Sequence, residues 1–235
     1  MRIVVSEFGR VYAFPVNSPG YIGPAAARPP VVRPLWSLPG PAIGALLAAA
    51  MITAPIGPWG SAIGRDLGHS TATTALAVIT PYVLAMAAMA APGYLLGRRW
   101  PTAAGVPALV LVVVASLVCF AAPGTAVMAV GQTILGLGAG TVVGVLFALS
   151  GQLDRGRSQA RLVLGLALGA AFLLGPVVCG VLARSLSWRF VFLVDVPVAG
   201  LALVVTAATG IAMLAVRASQ PSSQSGPVVV GSPAR

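Results

Sequence analysis

The sequence predicts an all-α membrane protein with six spanning helices, and three observations carry that prediction. Of 235 residues, 58% are hydrophobic and only 8% are charged, against roughly 25% charged in an ordinary soluble domain. Six apolar runs each come close to or exceed the roughly 20 residues a helix needs to cross a bilayer. The basic residues, all arginine, fall between those runs rather than on one aromatic-interleaved polar face, as orientation signals do and nucleic-acid surfaces do not.

Residues 1–38 read as a Pro- and Arg-containing leader without sustained period, irregular apart from an optional short strand over Met1–Val5. No long apolar core marks it as a secretory signal. Residues 39–217 hold the spans. The first is Ile43–Ile63, interrupted by Pro55, Gly57, Pro58 and Gly60, so its far end should be kinked or partly unwound. The others are Thr74–Leu96, Ala103–Phe120, Ala126–Leu149, Leu162–Ala183 and Phe190–Ala215. Residues 218–235, rich in Ser, Gly and Pro, read as a disordered tail.

Six spans with both termini cytoplasmic place Arg2, Arg10, Arg28, Arg33, Arg98, Arg99, Arg155, Arg157, Arg161, Arg217 and Arg235 inside, and only Arg65, Arg184 and Arg189 outside. That asymmetry follows the positive-inside rule, and a missed span would scramble it. The expected location is a cytoplasmic membrane, of a bacterial inner-membrane kind, crossed several times.

Local motifs recur in a recognisable order. GPVVCGVLARSLSWRFVFLVDVPVAG spans residues 175–200, GRDLGHS 64–70, GYLLGRRW 93–100 and ILGLGAG 134–140. Together they resemble the N-terminal half of a major facilitator superfamily transporter, most closely the drug:proton antiporter branch with fourteen spans. The resemblance implies a six-helix bundle that transports small hydrophobic or amphipathic compounds, including drug efflux. It further implies that Gly93, Arg98 and Arg99 belong to a loop balancing two conformational states. Gly175, Pro176 and Gly180 would then form a fifth-helix bend tied to transport direction, and Trp188, Arg189 and Pro197 a signature at the outer interface.

The same residues have plainer readings. Gly136, Gly140 and Gly144 share one helical face, where small residues let helix backbones approach in lipid; Gly165, Gly169, Gly175 and Gly180 offer another. Arg98, Arg99, Trp188 and Arg189 are ordinary interface anchors. Asp66 and Asp154 read as solvated partners of Arg65 and Arg155, and the lone His69 as a loop residue.

Ionisable groups inside the spans, which ion coupling requires, are nearly absent. Where the resemblance implies an Asp in the first helix stands Ile52. An Arg of the fourth helix is replaced by Gln132 and the following Gln by Leu135, and an Asp-Arg pair is missing between Leu96 and Gly97. Asp195 is the one acid within a span, read either as an interface-proximal carboxylate that snorkels or meets Arg189, or as a coupling or substrate acid. Cys119, Cys179 and His69 have no metal-ligand spacing, so neither metal nor cofactor is expected. No nucleophile–base–orienter set suggests an enzyme. The expected partners are the bilayer, a hydrophobic substrate, and a homodimeric or separately encoded second half, because one half cannot enclose a pathway. The alternatives are a non-transporting scaffold or accessory subunit, and a truncated inactive product.

Overall fold

The computed structural model describes residues 2–5, 11–14, 35–56, 58–68, 70–152 and 158–219. The rest of the leader, His69, Asp154, Arg155, Arg157 and the tail from residue 220 lie outside the described residues. The chain divides into two compact units, residues 1–31 and 32–235.

In the first unit β1 (Arg2–Val5) and β2 (Val11–Phe14) pair antiparallel, with Arg2 opposite Phe14 and Val5 opposite Val11. The optional opening strand thus has a paired partner strand, and these described leader residues are not irregular. Both strands are rich in the β-branched and aromatic residues that suit a pleated ribbon.

The second unit is helical. A single 3-10 turn, Leu35–Ser37, leads into α1 (Pro39–Thr53), which has proline at its start, and α2 (Pro58–Leu67) follows at a 66° bend. The break falls where the sequence predicts it. Pro55 and Pro58 have no N–H to donate to the preceding turn, and Ile56 closes the helix end by donating to the Thr53 carbonyl at 2.9 Å. A side chain at Gly60 would strike the Pro55 carbonyl, so glycine permits the chain to fold back there.

The remaining helices are α3 (Thr71–Arg99), α4 (Pro101–Phe120), α5 (Thr125–Gly151), α6 (Ser158–Ser185) and α7 (Arg189–Ala218). These five are long and apolar enough to cross a membrane, and the bent α1–α2 pair makes a sixth span if counted as one. Ser70 caps α3, its hydroxyl accepting from the Thr73 N–H at 3.1 Å. Arg98 and Arg99 fall in the last turn of α3, where cations complement the helix dipole. Trp100 alone joins α3 to α4, and Pro101 at the first helical position forces the restart.

α5 is the hub. It packs most extensively against α3, then against α4, and α4 in turn packs on α7. α1 bridges α5, α6 and α7, while α6 rests mainly on α1 and α2. Trp59, Tyr82, Phe192, Ile63, Leu109 and Met128 are the largest fully buried side chains.

Candidate functional site

Three places bring the predicted residues together: a glycine seam, a clasp at one end of the bundle, and a small interior void.

Along the seam, side chains at Gly136, Gly140 and Gly144 of α5 would collide with the carbonyls of Tyr82, Met86 and Ala90 of α3. Both sets advance by four residues in the same direction, so the two helices run parallel with backbones in contact. From the α3 side, a side chain added at Gly93 would come within 2.7 Å of the Thr141 backbone, and one at Gly97 within 2.8 Å of the Val145 Cα. Gly93 therefore lies inside α3, packed against α5, and not in a loop. Gly138 turns the other way, where an added side chain would come within 2.7 Å of the Ala108 carbonyl of α4. In α6, a side chain at Gly175 would collide with the Ala50 carbonyl of α1, and one at Gly180 would come within 3.3 Å of Pro58. A side chain added at Gly165 or Gly169 would meet no other element within 4 Å, so the predicted glycine face of that helix is packed only over its second half.

Pro176 sits at the start of that packed half. It has no N–H for the carbonyl of Phe172, four residues earlier. The Thr53 hydroxyl at the end of α1 donates to that carbonyl instead. The carbonyl that Pro176 frees is thus satisfied from the broken end of the first span, as irregular backbone within a membrane requires.

At the clasp, Trp188 donates its indole N–H to Asp66 Oδ2 at 3.0 Å, and Arg189 approaches the same oxygen at 3.8 Å. Arg189 also donates to the Phe120 carbonyl at 3.0 Å and lies 4.5 Å over the Trp188 ring. Trp59 donates to the Trp188 carbonyl at 2.9 Å and stacks, tilted, on Phe192 at 5.2 Å. One short segment thereby ties α2, the end of α4 and the start of α7. Two expectations are corrected. Asp66 pairs with Trp188 and Arg189 rather than with Arg65, because α2 points it across the bundle end. Trp188 is buried within the bundle end rather than exposed as a free anchor.

The opposite end carries Arg98 and Arg99. The Arg98 guanidinium lies 5.9 Å over the Tyr94 ring, and its carbonyl accepts from Gln152 at 3.4 Å. Arg161 donates to the Ser150 carbonyl at 3.1 Å. Arg99 is exposed.

The interior void holds the most consequential correction. Asp195 is 3% exposed and neither snorkels outward nor meets Arg189. It lines a void of about 10 Å³ with residues of α1, Tyr82 of α3, Val112 of α4 and Leu135 of α5, about the minimum space for one water. Its Oδ2 is buried without a hydrogen-bond partner among the described residues. The Tyr82 hydroxyl is already committed to the Ala48 carbonyl at 2.9 Å. Gln132 is buried on α5 and Ile52 packs partly buried against the core. Pro197 is exposed on α7, two residues beyond Asp195.

Sequence reading missed the burial of Asp195, although a signal existed. Phe192, Asp195, Ala199, Ala202 and Thr206 are all buried, and their alternating three- and four-residue spacing marks the inward face of a helix.

Comparison with known proteins agrees with this architecture. A profile of the Major Facilitator Superfamily matches residues 41–229. The chain is similar to the MFS efflux transporter aclA of Aspergillus oryzae, 37% identical over 47% of this chain and 20% of that protein. It is 35% identical to an uncharacterized MFS-type transporter of Mycobacterium tuberculosis, over 52% of this chain and 18% of that one. It is also 29% identical to the MFS-type transporter ucsD of an Acremonium species, over 68% and 26%. The matched stretches thus span no more than about a quarter of these relatives' length.

Proposed function

The chain belongs to the Major Facilitator Superfamily, and on that premise we propose that it forms one wall of a transport pathway for small hydrophobic or amphipathic compounds. The work is efflux, as the names of several relatives indicate for those proteins. The bundle resembles the half of a transporter in the fourteen-span drug antiporter branch. The Arg98–Arg99 end and both termini face the cytoplasm of the cell membrane. A second bundle, supplied by another copy or another chain, completes the pathway.

The observation that carries this reading is the bareness of α6. Its most apolar stretch is only 11% buried within the fold, with Leu162, Leu166, Leu173 and Val177 each more than half exposed. A helix that packs along one edge and presents Gly165 and Gly169 on an open surface suits docking against another bundle. Alternating access then consists of the two bundles rocking against each other around the site between them.

The test is transport by the full chain in liposomes, alone and with its candidate partner. A hydrophobic cationic dye should cross at a protein-dependent rate, and Leu166→Cys should cross-link to the second bundle. Absence of dye movement from a verified two-bundle complex overturns the reading.

Asp195 supports a second reading. A carboxyl walled in by four other helices, with no charged partner among the described residues, is poorly placed to exchange protons with a pathway outside the bundle. This favours a non-transporting accessory subunit or a transporter without proton coupling. If Asp195 couples, Asp195→Asn abolishes uptake driven by a pH gradient while leaving folded yield unchanged. Uptake equal to wild type returns it to a structural role.

A further inference from the structure

A groove of about 550 Å³ opens between the first turns of α4 and the last turns of α7, within the size range of ligand sites. Val106, Pro107, Ile211 and Leu214 form apolar walls, and Arg99 and Trp100 stand at its mouth. The floor is closed by the tight approach of Gly210 to Thr102.

We propose that this groove binds an anionic phospholipid, with its phosphodiester on Arg99 and an acyl chain along the apolar walls. Charge complementarity identifies the occupant. Arg99 makes no hydrogen bond or ion pair with another described residue, unlike Arg189 at the other end, which is held by Asp66. The acids among the described residues are Asp66, which precedes the start of α3, and Asp195, sealed in the core. Arg99 ends α3, so the full length of a 29-residue helix separates it from Asp66. An exposed cation lining an apolar slot matches a molecule with an anionic head and a hydrocarbon tail. Trp100, 58% exposed, stands where an amphipathic ring borders headgroups.

The groove also lies away from the bare helix. α4 and α7 pack on each other and on α5 or α1, whereas α6 rests mainly on α1 and α2 and only slightly on α7. A bundle docked on α6 leaves the groove facing lipid, so the site does not depend on whether the chain transports anything.

The experiment is lipid retention by the full chain, extracted in neutral detergent from nanodiscs of mixed phosphatidylglycerol and phosphatidylcholine and read by native mass spectrometry. Wild type should retain phosphatidylglycerol over phosphatidylcholine by about fivefold, the effect of one arginine at a membrane surface. Arg99→Gln should bring the ratio to parity, while Arg98→Gln, whose guanidinium sits over Tyr94, keeps it. Ala103→Trp, which fills the groove wall, should lower retention of both lipids. Parity in wild type, or an equal loss in Arg98→Gln, would mean only annular lipid in a diffuse positive field and overturns the proposal. Displacement by soluble glycerol phosphate overturns it in favour of a bare phosphate site. Displacement by a hydrophobic cationic dye overturns it in favour of a substrate route.

Discussion

α5 and α6 differ by one residue in length and are similarly apolar, with mean hydropathies of 2.0 and 2.4 over their most apolar stretches. Both carry glycines at helical spacing. Yet those stretches are 67% and 11% buried. The glycines of α5 all find a neighbouring backbone or side chain except Gly151 at its end, whereas two of the four in α6 face open space. In lipid, apolarity gives helices no reason to associate, and packing alone selects partners. The comparison therefore teaches that small-residue spacing reports a helix able to pack closely, without reporting whether this bundle provides the partner.

The sharpest way to break the comparison is to place the same bulk on both helices. Gly140→Leu drives a side chain into the Met86 carbonyl and should cost about 3 kcal/mol, the upper part of the usual overpacking range. Gly169→Leu meets nothing within 4 Å and should change stability by less than about 0.5 kcal/mol. Folded yield and unfolding in mixed micelles read both. Equal losses would mean α6 is packed as tightly as α5.

A smaller effect tests how α6 is anchored. Thr53→Val keeps the shape but removes the donor to the Phe172 carbonyl, at a cost of about 1 kcal/mol. Protease or hydrogen-exchange protection should fall in the second half of α6 and stay constant along α5. An unchanged α6 would show that Gly175 and Gly180 suffice to hold it.

The least effect belongs to the clasp. Asp66 and Arg189 are 53% and 32% exposed, so a double-mutant cycle of Asp66→Asn with Arg189→Gln should give about 0.5 kcal/mol or less, diminished by salt. A coupling well above about 1 kcal/mol would mean the clasp, not the α1 contact, fixes the α6–α7 turn.

What could be read from the sequence follows from which interactions are local. The helices are legible because spanning a bilayer is a property of each segment alone. The break in the first span is legible because Pro55 and Pro58 act on their own helix. That Thr53 repairs Pro176 is not, since the two lie in segments joined only by packing. Hydropathy placed Asp195 near an interface because its neighbours Leu193, Val194 and Val196 do not distinguish an inward from an outward face. Only the three–four spacing from Phe192 to Thr206 does so. Asp66 was matched to Arg65 by adjacency, yet consecutive helical residues do not face each other.

The seam between α3 and α5 has a consequence for how the chain is made. Synthesis delivers α3 and then α4 before α5, but α3 and α4 touch each other little; α3 rests chiefly on α5, and α4 on α5 and α7. In a nascent chain ending at Phe120, α3 and α4 still lack the α5 surface they pack on. The backbone ridge of Tyr82, Met86 and Ala90 must face lipid until three glycines arrive more than fifty residues later. Assembly of this bundle is therefore timed by the arrival of its hub rather than accumulated helix by helix.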